Sequence, residues 1–244
     1  MTPRITLATA VRVLQQLRRD PRTVALIFVV PSLLMTLFKY VFEGQPETFD
    51  RIGGPLVGVF PFALMFVITS ITMLRERTTG TLERLMTMPL AKLDLLLGYG
   101  LAFAAVAAAQ ATTTAAVSFG LLGLDVAGSV WVVVALAVLN ALLGMALGLL
   151  ASAFAQTEFQ AVQFMPAFVL PQVLLCGLFA PRERMAEILE WISVVLPLTW
   201  AYDGLALAVA GGDGTRIARD AAIVVAVTLL ALALAAATLR RRTH

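Results

Sequence analysis

The residues whose types and spacing can do chemistry are concentrated in one charged segment, residues 75–90, which lies between long apolar runs. It opens with Arg-Glu-Arg at 75–77 and ends with Pro89 and Leu90. Neighbouring side chains of opposite charge form ion pairs and bind complementary charges on a partner. A covalent mechanism needs instead a nucleophile beside a base. The chemistry predicted for this segment is therefore recognition through charge.

The same segment has the pattern of a short amphipathic helix. Gly80 and Thr81 suit a helix start, and Glu83 would lie in the first turn, where the helix dipole favours an acid. Apolar and charged side chains would occupy different faces, and Pro89 would end the helix. We therefore expect a surface helix over 75–90 that docks on a partner. Its candidate contact residues are Arg75, Glu76, Arg77, Gly80, Thr81, Glu83, Arg84 and Pro89.

Other kinds of chemistry are disfavoured by what the sequence lacks. It contains no GxxxxGK[ST] nucleotide-binding loop, no HExxH and no GxSxG motif. One histidine, His244, and one cysteine, Cys176, are too few for a metal site built from these residues. Asp94 and Asp203 lie near predicted span ends, so an intramembrane carboxylate relay is disfavoured. We expect no catalytic residues, no metal site and no cofactor bound directly by the chain.

Composition places the elements that carry this segment in a membrane. The chain is 60% hydrophobic and 14% charged, with a mean hydropathy of +0.90, against about 25% charged residues in soluble domains. Because the arginines flank apolar runs, the net charge of +3 does not indicate a nucleic-acid partner. We expect one all-α, multi-pass transmembrane domain over residues 1–244, in the cytoplasmic (inner) membrane and in contact with its lipids.

Six apolar runs are long enough to span a bilayer, which takes about 20 residues. With six spans, the N-terminal segment, the 75–92 region and the C-terminus contribute five, four and three basic residues to one side, out of 18 in the chain. The positive-inside rule therefore places both termini and segment 75–90 in the cytoplasm. A seventh span through 191–210 would move the arginines at 240–242 outside. The six runs are about 23–42, 54–74, 95–122, 129–153, 162–181 and 221–239.

Two further segments are expected to lie against the membrane without crossing it. Residues 1–22 carry five arginines, and their leucines and valine recur at helical spacing, which predicts an interfacial amphipathic helix. The alternative is a solvated basic tail. Residues 182–212 are interrupted by Pro197, Asp203 and Gly204, so we expect a re-entrant helical element in the outer leaflet. Its broken helices would be packed against protein.

One row of small residues predicts close helix packing. Gly144, Gly148 and Ser152 recur every four residues in the fourth apolar run. Such a ridge lets two helices approach closely, either within one chain or between two copies. The sequence leaves both alternatives open.

Two separated motifs resemble the permease family of ABC-2 type transporters. The segment RERTTGTLERLMTMPL at 75–90 resembles the family's R-E-R-x-x-G-T-L-E-x-L-x-x-x-P-L signature after the second span. The second motif is similar to the stretch that members carry between spans five and six. It comprises GLFAP at 177–181, Met185, WIS at 191–193 and LPLTW at 196–200. Ala186 and Leu196 depart from the residues most frequent in the family.

The resemblance implies a half-transporter that dimerises and docks two copies of a separate ABC ATPase. The second permease protomer would be identical or a sister chain, and ATP and Mg²⁺ would bind to the ATPase. Segment 75–90 would be the coupling helix, seated on that subunit, and the amphipathic N-terminal residues would form a second contact. The implied function is export of an amphipathic or hydrophobic compound, drug-like or lipid. The alternatives are a glycolipid or polysaccharide exporter, and a six-span scaffold or channel without an ATPase.

The implied mechanism is alternating access, with a central path lined by spans two and five. Aromatic faces with a few polar groups suit amphipathic cargo. The alternative is that these aromatic residues face lipid or pack between helices. The candidate lining residues are Phe60, Phe62, Phe66, Thr69, Phe164, Phe168 and Gln172.

Overall fold

A computed structural model describes residues 3–80 and 92–238, and over these ranges the chain is helical without a strand. Helices are the expected outcome for apolar runs in lipid, since a helix satisfies its backbone hydrogen bonds internally. The first half contains α1 (Pro3–Arg18), α2 (Pro21–Val41), α3 (Pro46–Thr78), α4 (Lys92–Ala116), a π-helical turn (Val117–Leu121) that continues α4, and α5 (Val130–Ala151).

The second half is divided into shorter helices, because prolines and one π-turn interrupt it. Pro166 lies in the π-turn that follows α6, and Pro171 lies in α7. Each proline lacks the N–H that an unbroken helix would use. The elements are α6 (Glu158–Phe164), a π-turn (Met165–Val169), α7 (Leu170–Leu175), a 3₁₀ turn (Arg182–Arg184), α8 (Glu187–Val195), α9 (Pro197–Val209) and α10 (Gly214–Thr238).

Five of the predicted spans correspond to helices of sufficient length and hydropathy. They are α2, α3, α4 with its π-turn, α5 and α10. The predicted fifth span, 162–181, differs, because its helical part covers 158–175 in three short pieces and ends before Cys176. A sixth spanning unit results if α8 and α9, bent by 88° at Leu196, are counted together. The same bend is compatible with a re-entrant element.

The row of small residues on α5 packs against α3 of the same chain. A Cβ atom on Gly144 would lie 2.1 Å from the carbonyl oxygen of Phe62, and one on Gly148 would lie 2.4 Å from that of Phe66. Ser152 is also fully buried. Only glycine permits this approach, so the ridge is used within the chain.

The helices begin and end at two opposite ends of the bundle, which we name the basal end and the distal end. The basal end carries α1, the last turn of α3, the start of α4 and the start of α6, which contact one another through side chains. The distal end carries α8, α9 and the start of α10. Pro197 begins α9 at a position where a missing N–H costs little, and Leu198 and Leu205 are fully buried.

Candidate functional site

The Arg-Glu-Arg sequence lies in the last turn of α3, which runs to Thr78, and does not start a separate helix. The helix continues this far because Met73 and Leu74 extend its buried face. Gly80 then adopts φ +72°, the left-handed conformation that commonly follows a helix end. Segment 75–80 thus departs from the predicted coupling helix. Residues 81–91, with Thr81, Glu83, Arg84 and Pro89, lie outside the described residues, so that helix stays a prediction.

Glu76 is the centre of a buried polar cluster at the basal end. Only 5% of the Glu76 surface is exposed. The Tyr99 hydroxyl donates a hydrogen bond to Oε2 at 2.8 Å, and Gln16 Nε2 donates to Oε1 at 3.0 Å. Arg12 Nη2 lies 3.8 Å from Oε2 and donates a hydrogen bond to the Tyr99 hydroxyl. The Glu76 carboxylate, on α3, therefore contacts both α1 and α4.

The cluster explains how a carboxylate can be buried here. A charge removed from water is costly unless it is paired and hydrogen-bonded. Glu76 has both kinds of partner, and the Arg12 guanidinium also lies 5.6 Å from the centroid of the Tyr99 ring, within cation–π range. A buried carboxylate at this position needs these partners, and the same contacts hold the basal ends of α1, α3 and α4 together.

Close packing supports the same arrangement of α1 on α4. A Cβ atom on Gly98 would lie 2.5 Å from the Cβ atom of Thr9, so the glycine allows α1 to approach. The face of α1 that is buried carries Thr6, Thr9, Ala10 and Val13. Its predicted apolar face stays exposed, with Leu7 at 59% and Val11 at 50%. Contact of that face with lipid stays a prediction.

Arg75 forms a second link, from α3 to α6. Its Nε donates to Glu158 Oε1 at 2.7 Å and its Nη2 donates to Oε2 at 2.9 Å, the two-bond geometry that arginine and carboxylate favour. The hydrogen bond from Arg75 is the main cause that lowers the pKa of Glu158 below its ordinary value. Both side chains are more than half exposed, so the pair contributes little stability. The pair instead sets the position of the start of α6 relative to the last turn of α3.

Arg77 differs from its two neighbours. It lines a cavity of about 530 Å³ between α3, α4, α5 and α10. Its Nε is buried and has no hydrogen-bond partner among the residues that the structure describes. The three consecutive charged residues therefore face three different surroundings: a link to α6, a link to α1 and α4, and an apolar cavity.

Four of the seven predicted path residues line one cavity of about 260 Å³ between α3, α5 and the 158–175 region; they are Phe66, Phe164, Phe168 and Gln172. Phe60 lines a neighbouring cavity of about 300 Å³ beside α2. Phe62 and Thr69 are fully buried, and among the described lining residues neither cavity includes them.

Gln172 also connects this cavity to the distal end. Its Nε2 donates to the Phe168 carbonyl at 3.0 Å. Its Oε1 accepts a hydrogen bond from the backbone N–H of Leu198, in the first turn of α9, at 3.4 Å. The predicted path residue is thus a contact between the 158–175 region and the bent α8–α9 pair.

Sequence reasoning missed Tyr99, Gln16, Arg12 and Glu158 as site residues. They lie 23, 60, 64 and 83 positions from the residues they contact, so no local spacing indicates them. The available signal was Glu76 itself, because an acid at the end of a long apolar helix needs partners.

Comparison with known proteins identifies the family. The family model described as ABC-2 type transporter matches residues 5–209. The chain belongs to the ABC-2 type transporter family. The resemblance drawn from the two motifs is therefore confirmed, and the chain is a multi-pass membrane protein.

Three relatives show how far the similarity extends. ABC transporter G family member 23 of Dictyostelium discoideum is 26% identical over 177 residues, 72% of this chain and 25% of that protein. The probable multidrug ABC transporter permease YbhR of Escherichia coli (strain K12) is 30% identical over 134 residues, 55% of this chain and 36% of that protein. The linearmycin resistance permease protein LnrN of Bacillus subtilis (strain 168) is 26% identical over 191 residues, 75% and 48% respectively. The chain spans between about a quarter and a half of these relatives.

Proposed function

We propose that this ABC-2 family chain is the transmembrane permease of an ATP-driven exporter that moves an amphipathic or hydrophobic compound out across the cytoplasmic membrane. Relatives named as a multidrug permease and a linearmycin resistance permease support this class of cargo. Since the sequence has no nucleotide-binding loop, ATP and Mg²⁺ would be bound by a separate ATPase. Two copies of that ATPase would dock on two permease protomers, identical or sister chains.

The observation that carries the proposal is the fastening of three helices to the last turn of α3. Glu76 joins this turn to α1 and α4, and Arg75 joins it to α6. This turn is the first part of segment 75–90, the proposed coupling helix. A force on that segment would therefore reach α1, α3, α4 and α6 together. This is the linkage that an externally driven permease needs.

The 158–175 region is the proposed moving part. Its π-turn and two prolines weaken the helical hydrogen-bond ladder, so a push on Glu158 would deform the chain at the π-turn, Met165–Val169. The cavity that contains Phe164 and Phe168 borders this π-turn. Two shapes of the π-turn, favoured by different nucleotide states of the ATPase, would give alternating access.

A reconstituted transporter tests the coupling role of Glu76. The permease is co-expressed with its ATPase, and the complex is placed in vesicles with a fluorescent amphipathic drug. We expect Glu76→Gln to preserve assembly but lower the drug transported per ATP hydrolysed by about tenfold. The matched control is Glu47→Gln, an exposed acid in the first turn of the same helix, with a wild-type ratio. A wild-type ratio in Glu76→Gln would contradict the coupling role.

The same vesicles separate the alternative functions. Uptake of a glycolipid or a lipid-linked saccharide, but not of the drug, would assign the cargo to that class. Solute flux through the permease without the ATPase would indicate a channel and contradict the exporter.

A further inference from the structure

A groove on the basal half of the molecule is separate from the cavity near the predicted path. It lies between α4, α5 and α10, with Arg77 at its basal end. Its α5 face carries Leu139, Leu142, Met145 and Leu149. The cavity of Phe164 lies against Leu147, Leu150 and Ala151, a different face of α5. The two spaces therefore have different walls.

The groove is apolar and open along its side. Besides Arg77, the described lining residues are uncharged, and nearly all are Leu, Ala, Val, Met or Gly. Leu97, Leu101 and Leu229 are 46%, 49% and 60% exposed. Leu101 and Leu229 lie within helices of spanning length, where exposed apolar side chains suit contact with hydrocarbon. The opening of the groove is thus directed at lipid tails.

The groove has the length of one bilayer leaflet. From Leu149 to Leu139 it follows α5 for about 15 Å, at 1.5 Å per residue. Along α10 it follows the helix from Val225 to Ala236 for about 16 Å. One leaflet of a typical hydrocarbon core is about 15 Å thick. An acyl chain in its ordinary bilayer conformation covers the same distance.

Arg77 provides a specific charge at the basal end of this groove. Its guanidinium is partly buried, and its Nε has no partner among the described residues. Arg75 differs, because its guanidinium donates hydrogen bonds to the carboxylate of Glu158. A guanidinium is a five-donor group that matches phosphate, and a buried donor without a partner is costly. A ligand that is anionic at one end and apolar over about 15 Å would satisfy both features of the groove.

We propose that this groove binds an anionic phospholipid of the leaflet at the basal end of the bundle, with the phosphate on Arg77 and one acyl chain between α4, α5 and α10. The site is separate from the exported cargo, and its occupancy does not require the ATPase. The lipid would fill a cavity of about 530 Å³ and brace α10 against α4.

Native mass spectrometry of the purified full chain in detergent tests the proposal. The probes are dioleoyl phosphatidylglycerol and dioleoyl phosphatidylcholine, which share acyl chains and differ in charge, together with glycerol phosphate as a soluble anion. We expect phosphatidylglycerol to bind tightest. Arg77→Ala should weaken its binding about tenfold, and Arg77→Lys should weaken it less. The charge-matched control, Arg19→Ala, changes an exposed arginine outside the groove and should bind as wild type.

A second variant tests the acyl part of the site. A Cβ atom on Gly100 meets no atom within 4 Å, and the residue lines the groove. Gly100→Leu should therefore fold and block both phospholipids. Its control, Gly120→Leu, is equally open but lies outside the groove and should bind as wild type. Equal binding of the two phospholipids, unchanged binding by Arg77→Ala, or equal retention of glycerol phosphate would overturn the proposal.

Discussion

Polar side chains at the basal and distal ends of the bundle are used in different ways. At the basal end, Glu76 binds residues of α1 and α4 that lie 23 to 64 positions away. At the distal end, Arg219 pairs with its neighbour Asp220, and Arg182 pairs with Asp203 across 21 positions. The basal contacts join separate long helices, whereas the distal contacts fix the shape of one local region.

The difference indicates where force can be transmitted. A contact between distant helices makes them move together, while a contact within a local element keeps that element rigid. The basal cluster is also the more buried, since the Glu76 side chain is 6% exposed against 23% for Asp203. We therefore expect changes at the basal end to alter both stability and coupling, and changes at the distal end to alter stability alone.

The largest effect is expected from breaking the basal cluster. Glu76→Ala leaves the buried Tyr99 hydroxyl without its acceptor, which costs about 1–3 kcal/mol of unfolding free energy. Unfolding in mixed micelles measures the change, with Glu47→Ala as the exposed control on the same helix.

A double-mutant cycle sharpens this comparison. Tyr99→Phe removes the other side of the contact, and the two changes should be non-additive by about 0.5–3 kcal/mol. Additive effects would mean that the hydrogen bond contributes nothing, and the difference between the two ends would disappear.

A smaller effect is expected at the distal end. Arg182→Ala removes the cation that contacts Asp203, and each side chain is only partly buried. We expect a loss of about 1 kcal/mol and an unchanged ratio of drug transported to ATP hydrolysed. Arg184→Ala, an exposed arginine two residues away, is the control. A fall in the transport ratio equal to that of Glu76→Gln would show that both ends take part in coupling.

The sequence predicted the parts of this fold that depend on local pattern. Apolar length located α2 through α5 and α10, and the motif at 75–90 identified the family. It did not predict that α3 continues to Thr78, because the charged residues that suggested a boundary are good helix formers, and Arg75 and Glu76 find partners on other helices.

The set of residues that line the cavity was the other feature that local pattern did not predict. Phe62 and Thr69 share a helix with Phe66, yet among the described lining residues the cavity includes Phe66 alone of these three. The backbone of Phe62 packs on Gly144, a contact across 82 positions that spacing within one helix does not reveal. Periodicity indicates which residues share a face, but the partner of that face is set by tertiary packing.

The smallest effect on stability is expected from Arg75. Arg75→Ala removes an exposed pair, so the unfolding free energy at neutral pH should fall by about 0–1 kcal/mol, while the transport ratio should fall because α6 is no longer tied to α3. The pKa of Glu158 is lowered from 4.5 mainly by its hydrogen bond from Arg75. The stability from this pair is therefore present above pH 4.5 and is lost as the pH falls through the lowered pKa.

The pH dependence distinguishes the pair from a general effect of charge. The difference between wild type and Arg75→Ala should begin to shrink as the pH falls below 4.5 and should vanish once the pH lies below the lowered pKa of Glu158. The difference for Arg19→Ala, an exposed arginine without a carboxylate partner among the described residues, should stay near zero throughout. A difference for Arg75→Ala that persists below the lowered pKa of Glu158 would show that Arg75 acts through packing of its stem, and α6 would then be free to move without Glu158.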